Sequence, residues 1–279
     1  MEIITPELVR RLLPPRRPDG HKGTFGRVYI YGGCVGYTGA PVFAGEAAAR
    51  TGSGLVFVGT PEEAYPIVAA RCVCAMAHPA PAAYEDLLAR VRGCDAALLG
   101  PGLGRAALAE RTVCSLLADL PLPVVLDADG INAASRHIHV LTQRSHPTVV
   151  TPHEGEFLRL GGDLSGGREA AAAAFARRHR CVLVLKGPGT LVAAPDGRLL
   201  QNPTGGSGLA KGGSGDVLAG MILSLMGQGA DPVDAAVCAA WLHGRAGDLC
   251  QKALTAYAMT PADLIEGLPA AFRELGLED

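Results

Sequence analysis

Asp216 follows a glycine-rich stretch that predicts a phosphate-binding loop. Residues 202–220 read NPTGGSGLAKGGSGDVLAG, and an apolar helical run begins directly after the aspartate. Glycines let backbone N–H groups approach an anion, and the N-terminal end of the following helix adds a positive partial charge at the same place. A carboxylate beside a bound phosphate can act as a base or as a metal ligand. The stretch therefore predicts a nucleotide site; a flexible linker, or a plain helix N-cap role for Asp216, is the simpler alternative.

Other polar and glycine-rich motifs follow apolar segments at regular intervals. Strand-like apolar runs are predicted at 27–32, 54–59, 95–100, 123–127, 148–151 and 181–186. Helical stretches are predicted at 5–13, 40–50, 103–117, 168–178, 216–226, 231–249 and 260–275. Continuous apolar strands that alternate with helices indicate an α/β fold with a mostly parallel central sheet and helices on both faces. A hairpin with Asp196-Gly197 at its turn is predicted after residue 186.

Ligands of such sheets bind at the C-terminal ends of the strands, and that is where the motifs fall. They are Gly32-Gly33, GPGLG at 100–104, DADGIN at 127–132, TPHEGEF at 151–157 and KGPGT at 186–190. Tight connections between elements would explain single glycines, but not His153 with Glu156 or the two aspartates of DADGIN. We expect one long crevice, within a single domain that spans residues 1–279.

The composition argues against several classes of protein. The formal net charge of −2 does not favour nucleic acid or a membrane surface as partner. No apolar run reaches the ~18 residues of a membrane span, and the N-terminal residues lack the apolar core of a signal peptide, so a cytoplasmic location is expected. The eight cysteines lack the spacing of a zinc site.

Lysine is scarce in a chain with 25 basic residues, and its positions are informative. Only Lys22, Lys186, Lys211 and Lys252 occur, and the first three lie in glycine-rich segments. A compact ammonium charge suits phosphate. The dinucleotide-binding pattern G-x-G-x-x-G, the P-loop and the G-x-S-x-G nucleophile elbow are all missing from the sequence, so the phosphate loop belongs to another class of site.

The motifs together resemble those of the ADP- or ATP-dependent NAD(P)H-hydrate dehydratases, which have a ribokinase-like fold. The resemblance includes HKGTFGRVYIYGG at 21–33 and HGRAGD at 243–248 and runs from Lys22 to Asp248. Two positions depart from the common pattern: Lys211 stands where many relatives carry threonine, and Gly206 where asparagine is frequent. Many bacterial members are fused to an epimerase domain; this chain begins almost directly at the dehydratase motifs, so a separate epimerase is expected to act alongside it.

The resemblance implies a reaction. A nucleotide phosphate, from ADP or ATP with Mg²⁺, is transferred to the hydroxyl of hydrated NADH or NADPH, and this hydroxyl then leaves as phosphate and restores the reduced nicotinamide. Asp216 would be the catalytic base. A kinase of a small alcohol or vitamin precursor, using the same aspartate and loop, is the alternative from another reaction class, and a non-catalytic nucleotide sensor is a third.

The resemblance also implies the site residues. Nucleotide binding is predicted for Lys186, Gly187, Pro188, Gly189, Thr190, Ser207, Gly208, Lys211, Gly212, Gly213, Ser214 and Gly215. Either lysine could instead be a solvated side chain. Substrate binding is predicted for Ala40, Gly102, Gly104, His153 and Asp216. The candidate ligands of Mg²⁺ are Asp127, Asp129, Asn132 and Glu156.

A homo-oligomer, with a tetramer as the expected form, is predicted from two alanine-rich helices, 44–50 and 170–178, and from the habit of the family. Alanine faces could equally pack inside one subunit.

Overall fold

The computed structural model describes residues 1–277 and contains one ten-stranded sheet. The strands are β1 Glu2–Ile3, β2 Arg27–Tyr31, β3 Leu55–Thr60, β4 Met76–Pro79, β5 Ala96–Leu99, β6 Val124–Leu126, β7 Thr148–Val150, β8 Val182–Leu185, β9 Leu191–Ala193 and β10 Leu199–Gln201. Their spatial order is β1-β10-β9-β8-β7-β6-β5-β2-β3-β4. Only the β8–β9 and β9–β10 pairs are antiparallel, which confirms the predicted, mostly parallel sheet.

Twelve α-helices accompany the sheet within the described residues. They are α1 Pro6–Leu12, α2 Gly39–Arg50, α3 Tyr65–Arg71, α4 Tyr84–Arg92, α5 Ala107–Asp119, α6 Asp129–Ser135, α7 His139–Gln143, α8 Glu154–Arg159, α9 Arg168–His179, α10 Ser214–Gly227, α11 Pro232–Ala258 and α12 Pro261–Glu274. A short 3-10 helix spans Ser207–Leu209. No helix in residues 1–277 is both long and apolar enough to cross a membrane.

Each buried strand contributes side chains to two hydrophobic cores, because successive side chains of a strand point to opposite faces. Val28 and Ile30 of β2 lie in the core that α2, α10, α11 and α12 cover. Tyr29 and Tyr31 of the same strand lie in the core formed with α4 to α9. The helices therefore cover both faces of the sheet, as predicted.

The six predicted central strands and the hairpin are confirmed within one or two residues at their ends. The prediction missed β1 and β4 at the two edges of the sheet and five short helices: α3, α4, α6, α7 and α8. Met76–Pro79 forms β4 only because it pairs with β3, and a strand that ends in proline is characteristic of an edge. Two helix ends were also wrong. Helix α5 begins at Ala107, beyond the positive φ of Gly104 (+71°). Helix α11 continues past 249 to Ala258, with a kink at Thr255, whose φ is +70°.

Candidate active site

The ends of four neighbouring strands bring the predicted motifs into one row. Strands β5, β6, β7 and β8 are adjacent and parallel, so their C-terminal ends lie at the same edge of the sheet. The backbone N–H of Lys186 donates to the carbonyl of Pro152 at 2.8 Å, and Lys186 pairs with His153 in a parallel bridge. KGPGT and TPHEGEF are therefore in direct backbone contact; one long crevice along all five strand ends stays a prediction.

Lys186 and Asp127 form an ion pair at the centre of this row. The Nζ atom of Lys186 lies 3.0 Å from Oδ1 of Asp127 and 3.9 Å from Oε2 of Glu156. Asp127 is buried and also accepts a hydrogen bond of 2.7 Å from the hydroxyl of Thr151. Burial lowers the pKa of Lys186, but the two carboxylates outweigh burial and raise the pKa overall. The lysine therefore carries a positive charge at the edge of the sheet.

Asp216 lies in the first turn of α10, partly buried and close to the same charged groups. The pKa of its carboxyl is raised to about 7. Burial is the largest cause, the charge of Asp127 adds to the rise, Lys186 opposes it, and Glu156 and Asp129 contribute further. A carboxyl with a pKa near neutrality can accept a proton and later release it at physiological pH.

The backbone before Asp216 leaves a group of amide donors unused. The N–H groups of Gly212, Gly213, Gly215 and Asp216 find no backbone acceptor within residues 1–277. Gly213 precedes the helix with a φ of +102°, which glycine adopts without strain. A Cβ on Gly215 would lie 3.2 Å from Nζ of Lys186. These donors and the ammonium group form a cradle suited to phosphate oxygens.

A cavity of about 450 Å³ adjoins this cradle, in the space predicted for the nucleotide. Seven of the predicted nucleotide-binding residues line it: Lys186, Gly187, Pro188, Thr190, Ser207, Ser214 and Gly215. Gly189, Gly208, Lys211, Gly212 and Gly213 are not among its lining residues. The amides of Gly32 and Gly33, at another strand end, donate instead to the carbonyls of Gly59 and Pro101.

His243 is a lining residue that the sequence analysis did not assign. Its Nε2 lies 2.9 Å from the carbonyl oxygen of Ser214, and burial lowers the pKa of the imidazole to about 4, so the ring is neutral. Gly244 also lines the cavity. His243 and Gly244 are the first two residues of the HGRAGD motif, so this motif was the feature of the sequence that could have identified them as lining residues.

Helix α11 also holds the loop that precedes the cradle. Asn202 donates to the carbonyl of Ala240 at 2.9 Å, and the hydroxyl of Thr204 donates to that of Trp241 at 3.0 Å. The Asp248 carboxylate, at the end of HGRAGD, accepts from the N–H of Gly205 at 3.2 Å. The motif therefore positions the glycine-rich loop as well as lining the cavity.

The other two lysines of glycine-rich segments, Lys211 and Lys22, do not line the cavity. The Nζ atom of Lys211 donates to the carbonyls of Tyr257 and Met259, because the C-terminal end of α11 presents carbonyls without helical partners. Lys22 precedes β2 and contacts Gly54 at the start of β3, so it lies at the opposite edge of the sheet from Lys186. Of the three lysines, Lys186 alone lines the cavity, and a phosphate contact of Lys211 stays a prediction.

Four of the predicted substrate-binding residues lie in the loop after β5, at the start of α2 and at the start of α8. A Cβ on Gly102, whose φ is +64°, would lie 3.0 Å from Cβ of Ala40, so the GPGLG loop packs against the start of α2. Gly104 donates its N–H to Oδ2 of Asp129 at 2.8 Å. His153 caps α8 by accepting from the N–H of Glu156 at 3.3 Å, and 57% of its side chain is exposed to solvent.

The four candidate metal ligands already have partners. Asp127 binds Lys186, and Asp129 accepts from Gly104 and from Asn132. Glu156 accepts from the N–H of His153. Within residues 1–277, no group of three or more His, Cys, Asp or Glu side chains has the arrangement of a metal site. This donor set fits a magnesium ion held mainly by phosphates and water, which needs one or two carboxylates, better than an all-protein cage.

A profile of the NAD(P)H-hydrate dehydratase family matches residues 28–270. The chain belongs to this family. The ADP-dependent (S)-NAD(P)H-hydrate dehydratase of Bacillus subtilis is 34% identical over 281 residues, which cover 96% of this chain and 97% of that protein. The bifunctional NAD(P)H-hydrate repair enzyme of Moorella thermoacetica is 40% identical over 98% of this chain but only 54% of its own length. This dehydratase-family chain thus spans about half the length of the bifunctional relatives.

Solved structures agree with the family assignment. The ADP/ATP-dependent NAD(P)H-hydrate dehydratase of Bacillus subtilis, co-crystallised with ATP and Mg²⁺, superposes with a TM-score of 0.83 at 32% identity, and 98% of each chain is covered. A ribokinase-like superfamily protein of Enterococcus faecalis superposes with a TM-score of 0.88 at 29% identity, over 99% of this chain and 96% of that one. The predicted ribokinase-like fold is confirmed.

Proposed function

We propose that this dehydratase-family chain catalyses the nucleotide-dependent dehydration of hydrated NADH and NADPH, with ADP or ATP as phosphoryl donor. The observation that carries the proposal is the position of Asp216. Its carboxyl, with a pKa raised to about 7, lies in the first turn of the helix whose unused amides face Lys186. A base, a cation and a row of N–H donors at one point suit phosphoryl transfer to a hydroxyl.

In the proposed reaction, Asp216 accepts the proton of the added hydroxyl as that oxygen attacks the terminal phosphorus of the nucleotide. The bond from this phosphorus to the bridging oxygen breaks, and the shortened nucleotide leaves with the bond's electrons. The nicotinamide ring then loses phosphate: its C–O bond breaks, a neighbouring proton is lost, and the ring double bond re-forms. Phosphate is a far better leaving group than hydroxide, which explains why a net loss of water would consume a nucleotide.

The proposed roles follow the two sides of the site. Lys186 and the unused amides of Gly212, Gly213 and Gly215 would hold the transferring phosphoryl group. Residues 187–190 with Ser207 would hold the rest of the nucleotide. Ala40, Gly102, Gly104 and His153 would face the hydrated ring. Mg²⁺, entering with the nucleotide, would neutralise phosphate charge, and Asp127, Asp129, Asn132 and Glu156 stay its candidate ligands, directly or through water.

A steady-state assay tests the proposal. Purified protein is given hydrated NADH or hydrated NADPH with either ADP or ATP, and both the absorbance of reduced nicotinamide and the release of inorganic phosphate are followed. The dehydratase regenerates absorbance and releases one phosphate for each ring restored. A kinase of a small alcohol would leave both signals flat with these substrates and would produce a stable phosphorylated alcohol from its own.

We also propose a homo-oligomer, with a tetramer as the expected form, and exposed apolar side chains support it better than the alanine face of α2 does. Ala44 and Ala47 of α2 are buried, and the backbone of Ala44 lies against Gly220 of α10, so this alanine face packs inside one subunit. Exposed apolar side chains next to the edge strand β4 support association better: Val73 is 88% exposed and Ile67 50%. Light scattering that gives a 28.7 kDa particle at micromolar concentration would contradict it.

A cytoplasmic location remains part of the proposal. All eight cysteines are free thiols, which suits a reducing compartment. A separate epimerase that interconverts the two hydrate epimers would work beside this chain. Fractionation of the native cells tests the location, and addition of an epimerase to a mixture of epimers tests the partnership by its effect on the total yield of reduced nicotinamide.

A further inference from the structure

A second cavity, of about 240 Å³, opens beside the substrate-side residues and has arginines in its wall. It lies between the loop after β5 and helices α5, α6 and α8, and three of its lining residues are Arg105, Arg136 and Arg159. It shares no lining residue with the cavity beside Lys186. The site thus has two separate cavities, and Lys186 lines only the one predicted for the nucleotide.

The arginines leave several donors available. Arg105 makes no hydrogen bond or ion pair with any of residues 1–277. Arg159 uses only its Nε, which donates to Oδ1 of Asn132 at 3.0 Å. Arg136 pairs with Glu110 at 2.9 Å, and 72% of the Arg136 side chain is exposed to solvent. A guanidinium group with free N–H donors matches phosphate oxygens in two-point contacts.

Both acidic side chains that line this cavity already have partners, and that of Glu110 is Arg136, at 2.9 Å. Asp129 accepts from the N–H of Gly104 at 2.8 Å and from Asn132 at 3.2 Å, so its oxygens have donors that do not come from the arginines. The free donors of Arg105 and Arg159 therefore remain for a ligand. An anion, rather than a cation, fits this wall.

The wall of the arginine-lined cavity includes two residues that belong to the substrate side of the site. Gly104 and Asp129 belong both to its wall and to the substrate side described above. Asp129 is close enough to Asp216 for its charge to act on that carboxyl. A molecule whose reacting hydroxyl reaches Asp216 past Gly104 can extend its remaining length into this cavity.

We propose that this cavity binds a phosphate group of the dinucleotide acceptor, while the phosphoryl donor occupies the cavity beside Lys186. The proposal rests on the proposed function, because it takes the acceptor to be a hydrated NADH or NADPH. The acceptor carries phosphate in two places: the pyrophosphate, present in both forms, and the 2′-phosphate, present only in the NADPH form. Arginine side chains can bind either phosphate group. A comparison of hydrated NADH with hydrated NADPH shows which of the two groups is bound.

Arg105→Ala and the double variant Arg105→Ala/Arg159→Ala test the proposal. We expect the KM for the hydrated dinucleotide to rise about tenfold in the double variant, as loss of a charge-assisted contact implies, with kcat and the KM for ADP or ATP close to wild type. A rise for both hydrates identifies the pyrophosphate as the bound group; a rise for hydrated NADPH alone identifies the 2′-phosphate. Arg177→Ala, on the exposed side of α9, is the matched control for loss of one surface arginine.

Binding of NADP⁺ and NAD⁺ by isothermal titration calorimetry gives a readout that does not depend on turnover. We expect weaker binding of one or both to the double variant, and unchanged binding to Arg177→Ala. A double variant with wild-type KM for both hydrates and wild-type Kd for both dinucleotides would overturn the proposal, and so would a rise confined to the KM for ADP or ATP. If the wild-type protein dehydrates neither hydrate but binds NADP⁺ through these arginines, the proposed function fails and the arginine site stands.

Discussion

The Nε2 atom of His243 lies 2.9 Å from the carbonyl oxygen of Ser214, the first residue of the helix that carries Asp216. A carbonyl oxygen can only accept, so Nε2 carries the proton of the neutral ring. Burial and the nearby charge of Lys186 lower the pKa of the imidazole, so the ring does not take up a second proton at neutral pH. The imidazole thus anchors the turn that presents the unused amides and the base.

His243→Phe should lower kcat about tenfold, because the carbonyl of Ser214 loses its buried donor and the first turn of α10 loses its anchor. His243→Gln should recover most of the activity, since its amide can donate from a similar position. Steady-state kinetics of the two variants, with circular dichroism to verify folding, make the comparison. Equal activity of both variants would exclude a positioning role.

The same histidine should make stability depend on pH. The folded protein takes up a proton at His243 only near pH 4, whereas the unfolded chain takes it up near the ordinary value of 6.5. Unfolding therefore binds a proton in this window, and the stability contributed by neutral His243 is present above pH 6.5 and lost as the pH falls towards 4, by roughly 3 kcal/mol. Urea unfolding at pH 7 and pH 4.5 should show a smaller loss for His243→Gln than for wild type.

Asp216→Asn should reduce kcat by about 10²- to 10⁴-fold, the usual contribution of a general base. The amide keeps the size of the side chain but cannot accept the proton of the hydroxyl. Nucleotide affinity, measured by calorimetry with ADP, should stay within a few-fold of wild type, because the amides and Lys186 remain. Near-normal turnover in this variant would remove Asp216 from the base role.

The pH dependence of kcat/KM should show whether Asp216 is the titrating base, because substitution of its charged neighbours should shift its pKa. Activity should rise with pH through about 7, as the carboxyl of Asp216 loses its proton. Lys186 lowers this pKa and Asp127 raises it, so Lys186→Met should move the acidic limb to higher pH and Asp127→Asn should move it to lower pH. The limb positions are compared after each profile is scaled to its own maximum, since both variants will also lose rate. Shifts in the same direction would contradict the assignment.

Gly215→Ala should separate activity from stability. The added Cβ would lie 3.2 Å from Nζ of Lys186 and would fill space at the phosphate cradle. We therefore expect turnover to fall at least tenfold, which corresponds to a rise of about 1.4 kcal/mol in the activation free energy. The helix itself favours alanine over glycine by up to about 1 kcal/mol, so the Tm should be equal or higher. Gly166→Ala, where nothing lies within 4 Å, is the control. A lower Tm with normal turnover would be the opposite result.

Removal of Mg²⁺ should abolish activity without destabilising the protein. Within residues 1–277 the acidic side chains form no metal site of their own, so an ion carried in by the nucleotide phosphates is absent before the nucleotide binds. EDTA should therefore stop turnover and leave the Tm of the ligand-free protein unchanged. A Tm that falls in EDTA alone would indicate a resident metal.

Part of this site could be predicted from the sequence because parallel strands share one edge. Lys186, His153 and Asp127 each follow an apolar run, and once the runs are parallel and adjacent their ends converge. The lining residue His243 was not assigned, because it lies within a long helix whose contact with Ser214 crosses 29 residues. The contacts of Lys211 with the carbonyls of Tyr257 and Met259 could not be predicted either, because they join residues 46 and 48 positions apart.

The sequence by itself determined the alternation of strands and helices, the glycine-rich turn before Asp216 and the family of the chain, because hydrophobic periodicity and the conformational freedom of glycine act over a few residues. Only the tertiary structure decided that Lys186 pairs with Asp127, 59 residues away, and that the pKa of Asp216 rises to about 7. A pKa depends on burial and on charges brought in by several strand ends at once, and neither exists until the sheet has formed.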